Sequence, residues 1–261
     1  MILGKYTAGT GEPQPITWLK ATPNCDFITE FAIDHICFDA MERDSENPVH
    51  GAFGNKQYHL SNIFSYINSD EASWYTPRHD KDYAPTWGDR NFRPGIRHRD
   101  SAYDKHFGLL YYFDEHEIGS IVPSTYEVGQ QTITSLMRLP LSTEIVGEDM
   151  FALFRRKGIR PTGAPDLLPH KSISRQSNFL AFWCADSSQA NWGDSVNTIG
   201  RTGRLSFSAP SDGCGLRPVC AINPETAITE ISVGIYQVVP FETNSAEKWT
   251  DDEMLVLLGI K

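Results

Sequence analysis

The chain of 261 residues is 40% hydrophobic and 21% charged, the composition of a folded chain long enough for one large domain or two small ones. Its 33 Asp and Glu against 23 Lys and Arg give a net charge of −10, without the overall basic character that phosphate contacts require, which argues against a nucleic-acid partner. No stretch approaches the roughly 20 apolar residues of a membrane helix, and the first residues lack the charged start and apolar run of a signal peptide, so the sequence predicts a chain made in a cytoplasm, without membrane insertion.

Taken in chain order, residues 15–39 (PITWLKATPNCDFITEFAIDHICFD) read as two or three short strands, with Phe27, Phe31, Ile33, Ile36 and Phe38 in period-2 apolar runs broken by Thr-Pro-Asn. In residues 57–75 the pattern changes to helical spacing, with Leu60, Ile63, Phe64 and Ile67 at i, i+3, i+4 and i+7 and Ser61 as a candidate cap. Residues 77–106 have neither periodicity. Seven Lys and Arg against five Asp make this segment mildly basic on an acidic chain, and Tyr83, Trp87, Arg90, Phe92, Arg93 and Tyr103 interleave aromatic and basic groups. A segment of that composition is an interaction arm, since aromatic and Arg side chains dominate interface energies, or a surface loop folded over the domain by its own aromatics.

From residue 107 the strand signal returns (FGLLYYFDEHEIGSIVPSTYEV), and the DEHE run at 114–117 reads as a polar strand edge. Residues 147–158 (GEDMFALFRRKG) suit a short helix, with Glu148 and Asp149 first and Arg155, Arg156 and Lys157 last, as the helix dipole favours. Further strands are expected in FLAFWCADSS, RLSFSA, LRPVCAI and ISVGIYQVV, before a C-terminal helix carrying Trp249, Met254, Leu255 and Leu258. The fold class read from this order is α+β, mostly strands with long connections.

The five cysteines (Cys25, Cys37, Cys184, Cys214, Cys220) show no Cys-x-x-Cys pair and no zinc-ribbon spacing, so free thiols are expected. Cys214 and Cys220, on an extended segment, would stand about 20 Å apart, far beyond disulfide reach. No Gly-x-Ser-x-Gly, phosphate-binding loop or dinucleotide fingerprint occurs, and His98 and His106 lack the His-x-x-x-His spacing of zinc hydrolases. No catalytic residue, metal or cofactor is assigned. The segment 183–213 combines flat aromatic and planar hydrogen-bonding groups: Trp183, Asn191, Trp192, Asp194, Asn197, Arg201 and Arg204. These are residue types that binding surfaces favour; the other reading is a hairpin region whose tryptophans cover the core.

Five pieces in order carry a resemblance: Ile16-Thr17-Trp18, Tyr58 through Asn68, Asp149 through Phe154, Phe182 through Ser187, and Gly215-Leu216-Arg217-Pro218-Val219. Across about residues 16–225 the chain resembles a family of functionally uncharacterised domains of phages, prophages and gut bacteria that close on a Gly-Val-Arg-Pro motif. Ala185 and Asp186 stand where that family has Arg-Ser, and residues 77–106 look like an insertion. The family is similar in its closing strands to the C-type-lectin-like fold shared with formylglycine-generating enzymes. The enzyme branch depends on a reactive cysteine pair that Cys214 and Cys220 do not match.

The resemblance implies a single C-type-lectin-like domain over 1–240, with a loop insertion at 77–106 and a helical tail at 241–261. It also implies a structural Arg217 at the start of a central strand, its guanidinium satisfying buried acceptors. The function expected is that of a non-enzymatic bacteriophage virion protein, a capsid decoration or tail attachment protein. Its expected partners are other virion subunits, itself as a homo-oligomer, or a host-surface glycan. The alternatives are a cytosolic enzyme with Cys184 as nucleophile and a calcium-dependent lectin using Asp194 and Asn197.

Overall fold

The computed structural model describes residues 1–7, 12–22, 26–42, 45–75, 82–83, 103, 106–155, 181–187, 194–200, 202–232 and 235–238. The first apolar runs form β1 (Ile2–Tyr6), β2 (Gln14–Lys20), β3 (Asp26–Thr29), β4 (Asp34–Cys37) and β5 (Met41–Glu42). After α1 (Pro48–Phe53) and α2 (Asn62–Ile67) come β6 (Asp82–Tyr83), α3 (Glu115–Ser120), β7 (Ile121–Val122), β8 (Ser124–Val128), β9 (Gln131–Ser135) and β10 (Met137–Arg138). Then follow α4 (Ser142–Val146), α5 (Ala152–Arg155), β11 (Phe182–Ser187), β12 (Val196–Ile199), β13 (Leu205–Ser208), β14 (Gly213–Leu216), β15 (Val219–Ile222), β16 (Ile228–Ser232) and β17 (Ile235–Val238).

Two sheets organise these strands into a strand-rich α+β fold. The larger runs β10-β15-β3-β2-β1-β17-β16, with β7 also on β15, and the smaller runs β13-β12-β11-β14-β4. Both are mixed: β1 with β17 and β11 with β14 are parallel, while their other ladders are antiparallel. The two sheets share one bent ribbon. β3 pairs with β15 in the larger sheet and β4 pairs with β14 in the smaller, so the chain changes sheet at residues 30–33 and again at Arg217-Pro218. Pro218 lacks a backbone donor, and its carbonyl accepts from Thr29 N at 3.2 Å, while Ile33 N donates to Leu216 O at 2.9 Å.

β11 is buried on both faces, as a strand between two apolar layers must be. Trp183 and Ala185 face the main core with Trp18, Phe38 and Tyr58, and Phe182 and Cys184 face a second cluster with Ile28, Phe154, Ile199 and Val219. Trp183 and Trp18 are fully enclosed because their indole N–H groups find carbonyls inside, Ile36 O and Leu3 O, each at 2.9 Å. Trp183 is therefore a core residue, which corrects its expected place on a binding surface.

The helices are shorter than their sequence patterns. In 57–75 a 3-10 turn (Tyr58–Leu60) ends at Ser61, whose extended backbone and side chain, accepting from Phe64 N at 3.4 Å, start α2. Ile63 and Ile67 are buried as expected, but Leu60 lies before the cap and is exposed. The DEHE run is not a strand. Asp114 caps α3 in a reciprocal box, accepting from Glu117 N at 2.8 Å while Glu117 Oε2 accepts from Asp114 N at 3.0 Å. Glu117 Oε1 also accepts from Gly4 N at 2.8 Å, tying α3 to β1. In the 147–158 helix, Arg156 and Lys157 lie outside the described residues, and α5 covers Ala152–Arg155.

The predicted insertion is described at its two ends. β6 pairs with β5, and Tyr103 is fully buried, its hydroxyl donating to Cys37 O, so both belong to the fold. Trp87, Arg90, Phe92, Arg93 and the helix expected at 241–261 lie outside the described residues.

Candidate functional site

Of the residues expected at a binding face in 183–213, Asn191, Trp192 and Arg201 lie outside the described residues. Asn197 is half-buried and donates to Asp186 Oδ2 at 2.5 Å, while the two oxygens of Asp186 also accept from Ser142 N at 2.7 Å and Ser142 Oγ at 2.6 Å. Asn197 thus fastens β12 to the start of α4. Asp194 precedes β12 and exposed Arg204 follows its far end, beyond the turn in which Gly203 N donates to Gly200 O at 2.8 Å. The structure does not bring Asp194 and Arg204 together. Among the described residues no three His, Cys, Asp or Glu side chains converge as a metal site.

The described cysteines and the guanidinium groups of Arg138 and Arg217 are enclosed. Among the described residues, Cys37, Cys184, Cys214 and Cys220 are buried thiols outside any disulfide. Burial pushes the Cys184 thiol well up, and the charges of Asp186 and Glu144 push it further; burial and the charge of Asp26 raise Cys220. Arg138 forms a bidentate pair with Glu144, at 2.7 Å on each arm, which positions the α4 cap through Leu141 N on Glu144 Oε2 at 2.8 Å. Arg217 donates to the carbonyls of Thr29 and Glu30 and lies 5.0 Å from the Phe182 ring centroid. Burial draws its pKa down to about 10, opposed by the charge of Glu30.

A second polar neighbourhood lies just beneath the surface around Asp34. Asp34 opens β4, and its Oδ1 accepts from His35 N at 2.7 Å while Oδ2 stands 3.3 Å from His106 Nδ1. The Asp34 side chain is 11% exposed and that of His106 19%. Burial alone would raise the Asp34 carboxyl; the charge and hydrogen bond of His106, with the His35 N–H and charge, outweigh it and hold the group below the ordinary carboxylate range. The Tyr66 hydroxyl approaches Asp34 Oδ2 at 3.5 Å. Tyr6, only 3% exposed, has a buried hydroxyl with no hydrogen-bond partner among the described residues. Its phenol pKa is raised by burial and then by the charge of Asp34.

From His106 the chain runs into Phe107, Gly108 and a 3-10 turn, Leu109–Tyr112. Leu109 and Leu110 turn inward, while Phe107 and Tyr111 are 41% and 44% exposed. Their ring centroids lie 4.7 Å apart, and Tyr112 completes the group at 5.0 Å from Tyr111 and 6.1 Å from Phe107. The segment is held by its backbone: Gly108 N donates to Glu71 O at 3.1 Å, Leu110 N to Ser69 O at 3.0 Å, and Trp74 Nε1 to His106 O at 2.9 Å. A Cβ at Gly108 would stand 2.1 Å from Ser69 O, so the approach of the two segments requires glycine. At Gly4 the φ of +67° and the Phe113 ring, 2.2 Å from where a Cβ would stand, make the same demand where β1 passes the turn.

Sequence reasoning missed Tyr6, Asp34, Tyr66, His106, Phe107, Tyr111 and Tyr112 as a group. The signal within reach was the Asp114-x-x-Glu117 box, which ends any strand begun at Phe107 and leaves Leu-Leu-Tyr-Tyr to a turn. Comparison with protein-family models, with curated proteins and with solved structures returned no match to this chain. Fold and site together define a strand-rich α+β protein with mixed sheets, whose outward chemistry in this region is aromatic and polar.

Proposed function

We propose that this chain is a non-enzymatic virion protein of a bacteriophage, a capsid decoration or tail attachment protein with a C-type-lectin-like arrangement. It acts by binding neighbouring virion subunits, further copies of itself, or a glycan of the host surface. The observation that carries this reading is how the chemistry is divided. The described thiols and the Arg138 and Arg217 guanidinium groups are enclosed and tied into the fold, whereas Phe107 and Tyr111 are presented to solvent. Recognition surfaces are built of such aromatic groups on a rigid frame.

The reading also rests on the order of sequence pieces from Ile16 to Val219 that resembles the phage-domain family. The cysteine-enzyme alternative is disfavoured, because a nucleophilic thiol needs access and a depressed pKa and Cys184 has neither. The experiment is density-gradient fractionation of particles from a lysate of producing cells. The chain should band with intact particles at a fixed copy number; recovery in the soluble fraction alone contradicts the reading.

A further inference from the structure

We propose that β13 (Leu205–Ser208) is a pairing edge, on which the same strand of a second copy of this chain adds in antiparallel register about a two-fold axis through Ser206. This rests on the self-binding part of the reading above and names its surface.

β13 ends the smaller sheet and is bonded to β12 on one side only. Its ladder runs without a break through Val196↔Ser208, Asn197↔Phe207, Thr198↔Ser206 and Ile199↔Leu205. At the turn Gly200 N donates to Arg204 O at 2.8 Å, so the residues bonded inward to β12 are Ser206 and Ser208. The N–H and C=O groups of Leu205 and Phe207 therefore point outward, and no described residue bonds to them. The same two residues share one face of the strand, 51% and 45% exposed, beside Ile199 of the second apolar cluster.

The other ends of the two main sheets are guarded. On β16 the register breaks between Glu230 and Ser232, and the strand carries that acid. Met137 of β10 donates its N–H to Asn68 Oδ1 at 2.9 Å and accepts from Asn68 Nδ2 at 3.0 Å, so a side chain occupies that edge. The Cys37 and Ile36 carbonyls of β4 accept from Tyr103 and Trp183. β13 has no charge, no Pro, no bulge and, among the described residues, no cover; such an edge is a template for another strand.

The occupant follows from the strand's own symmetry. Centred on Ser206, Leu205 of each copy faces Phe207 of the other, so both pairs exchange their outward N–H and C=O bonds and set an aliphatic side chain beside an aromatic ring. Ser206 meets its own copy at the narrow position between them, where a small side chain fits. No acid lies on the strand, although the chain carries a charge of −10. The two Arg204 side chains start about 14 Å apart along the strands, beyond the roughly 8 Å screening length at physiological salt. One short strand pair is small beside the about 1,200 Å² that lasting complexes bury, so free chains pair with a Kd on the order of 0.1 mM, and copies held side by side pair more completely.

The test is sedimentation velocity of the full chain from about 10 μM to about 1 mM. The expected result is a mass that moves from monomer toward dimer. Phe207→Pro removes an outward donor and a ring but spares the bonds to β12, and Leu205→Lys puts a charge on the edge. Each should weaken pairing about tenfold or more at the wild-type melting temperature. Ser206→Cys should form an intermolecular disulfide under mild oxidation, since the central pair brings its alpha carbons to about 4.5 Å. Thr132→Cys, exposed on β9, should cross-link far less.

A monomer mass throughout overturns the proposal. So does pairing undiminished in both edge variants, or cross-linking of Ser206→Cys no greater than that of Thr132→Cys. A monomeric chain whose Phe207→Pro variant is lost from particles gives the edge to a neighbouring subunit and also overturns it. If the chain pairs through β13 and does not band with particles, the virion reading fails and the dimer stands. If it bands and stays monomeric, the dimer fails and the virion reading stands.

Discussion

Arg217 donates two hydrogen bonds to the carbonyl oxygen of Thr29, from Nε at 3.1 Å and from a terminal nitrogen at 2.7 Å, across 188 positions of sequence. The same terminal nitrogen donates to Glu30 O at 3.2 Å. These carbonyls lie where β3 ends and the chain crosses to β4, and Arg217 lies where β14 ends and the chain crosses to β15. One guanidinium thus supplies the donors that two interrupted ladders lack, at the bend that joins the two sheets.

Replacing Arg217 should therefore unfold the protein rather than blunt a surface. Arg217→Met keeps much of the volume and removes every donor, leaving buried acceptors at roughly 1–3 kcal/mol each. Urea denaturation should show a loss of about 2–6 kcal/mol for the two carbonyls together. Arg217→Lys should recover little of it, since an ammonium lacks the fork that reaches both carbonyls and loses its proton more readily when buried. A wild-type midpoint for Arg217→Met would contradict this role.

The Asp34–His106 pair sets a pH dependence. In the fold the Asp34 carboxyl lies below its ordinary value, because His106 and the His35 N–H outweigh burial. A carboxyl depressed by folding adds stability above its unfolded pKa of about 3.9, and that contribution disappears as pH falls through the folded value. Stability should thus fall below about pH 4. In His106→Gln the carboxyl should titrate at higher pH, measured by NMR at Asp34 Cγ. Identical titration in the two proteins would remove His106 as the cause.

The thiols offer a chemical check on the non-enzymatic reading. Iodoacetamide near neutral pH should modify Cys37, Cys184, Cys214 and Cys220 slowly in the native protein and rapidly in urea, because all four are buried and the thiolates of Cys184 and Cys220 are disfavoured. Rapid native alkylation of Cys184, read by peptide mass spectrometry, would revive the nucleophile.

Two glycines should respond in opposite directions. Gly108→Ala drives a methyl into Ser69 O and should destabilise by about 1–3 kcal/mol or more. Gly119, within α3, has nothing within 4 Å of the position a Cβ would take. Gly119→Ala should stabilise by roughly 0.5–1 kcal/mol. Thermal melts of the two variants decide both.

Self-association is tested by light scattering on the intact chain and on one with residues 84–101 replaced by a Gly/Ser linker. Those bounds keep β6, Tyr103 and His106, which the fold uses. A closed oligomer that becomes a folded monomer assigns contact between copies to the replaced segment; two monomers count against self-assembly.

Parts of this are legible in the sequence because they are local. The apolar runs of residues 15–39 form strands and Ser61 forms a cap, while the structural role of Arg217 is implied by the resemblance rather than by local pattern. The departures have physical reasons. Trp183 suits an interface by composition, yet a strand buried on both faces carries no alternation that marks a side. DEHE alternates as a strand edge does, and the reciprocal Asp114–Glu117 cap overrides that pattern. The Asp34–His106 pair joins residues more than 70 positions apart, a contact that no local pattern marks.

The central claim is that the chain works by being carried on a particle and binding there, and the most direct measurement is immunogold electron microscopy of intact particles with antibodies to the purified protein. The account predicts gold at regular positions on the outside of intact heads or tails, lost in particles lacking the chain. Gold confined to unassembled protein, with intact particles unlabelled and the chain absent from their protein content, would contradict it.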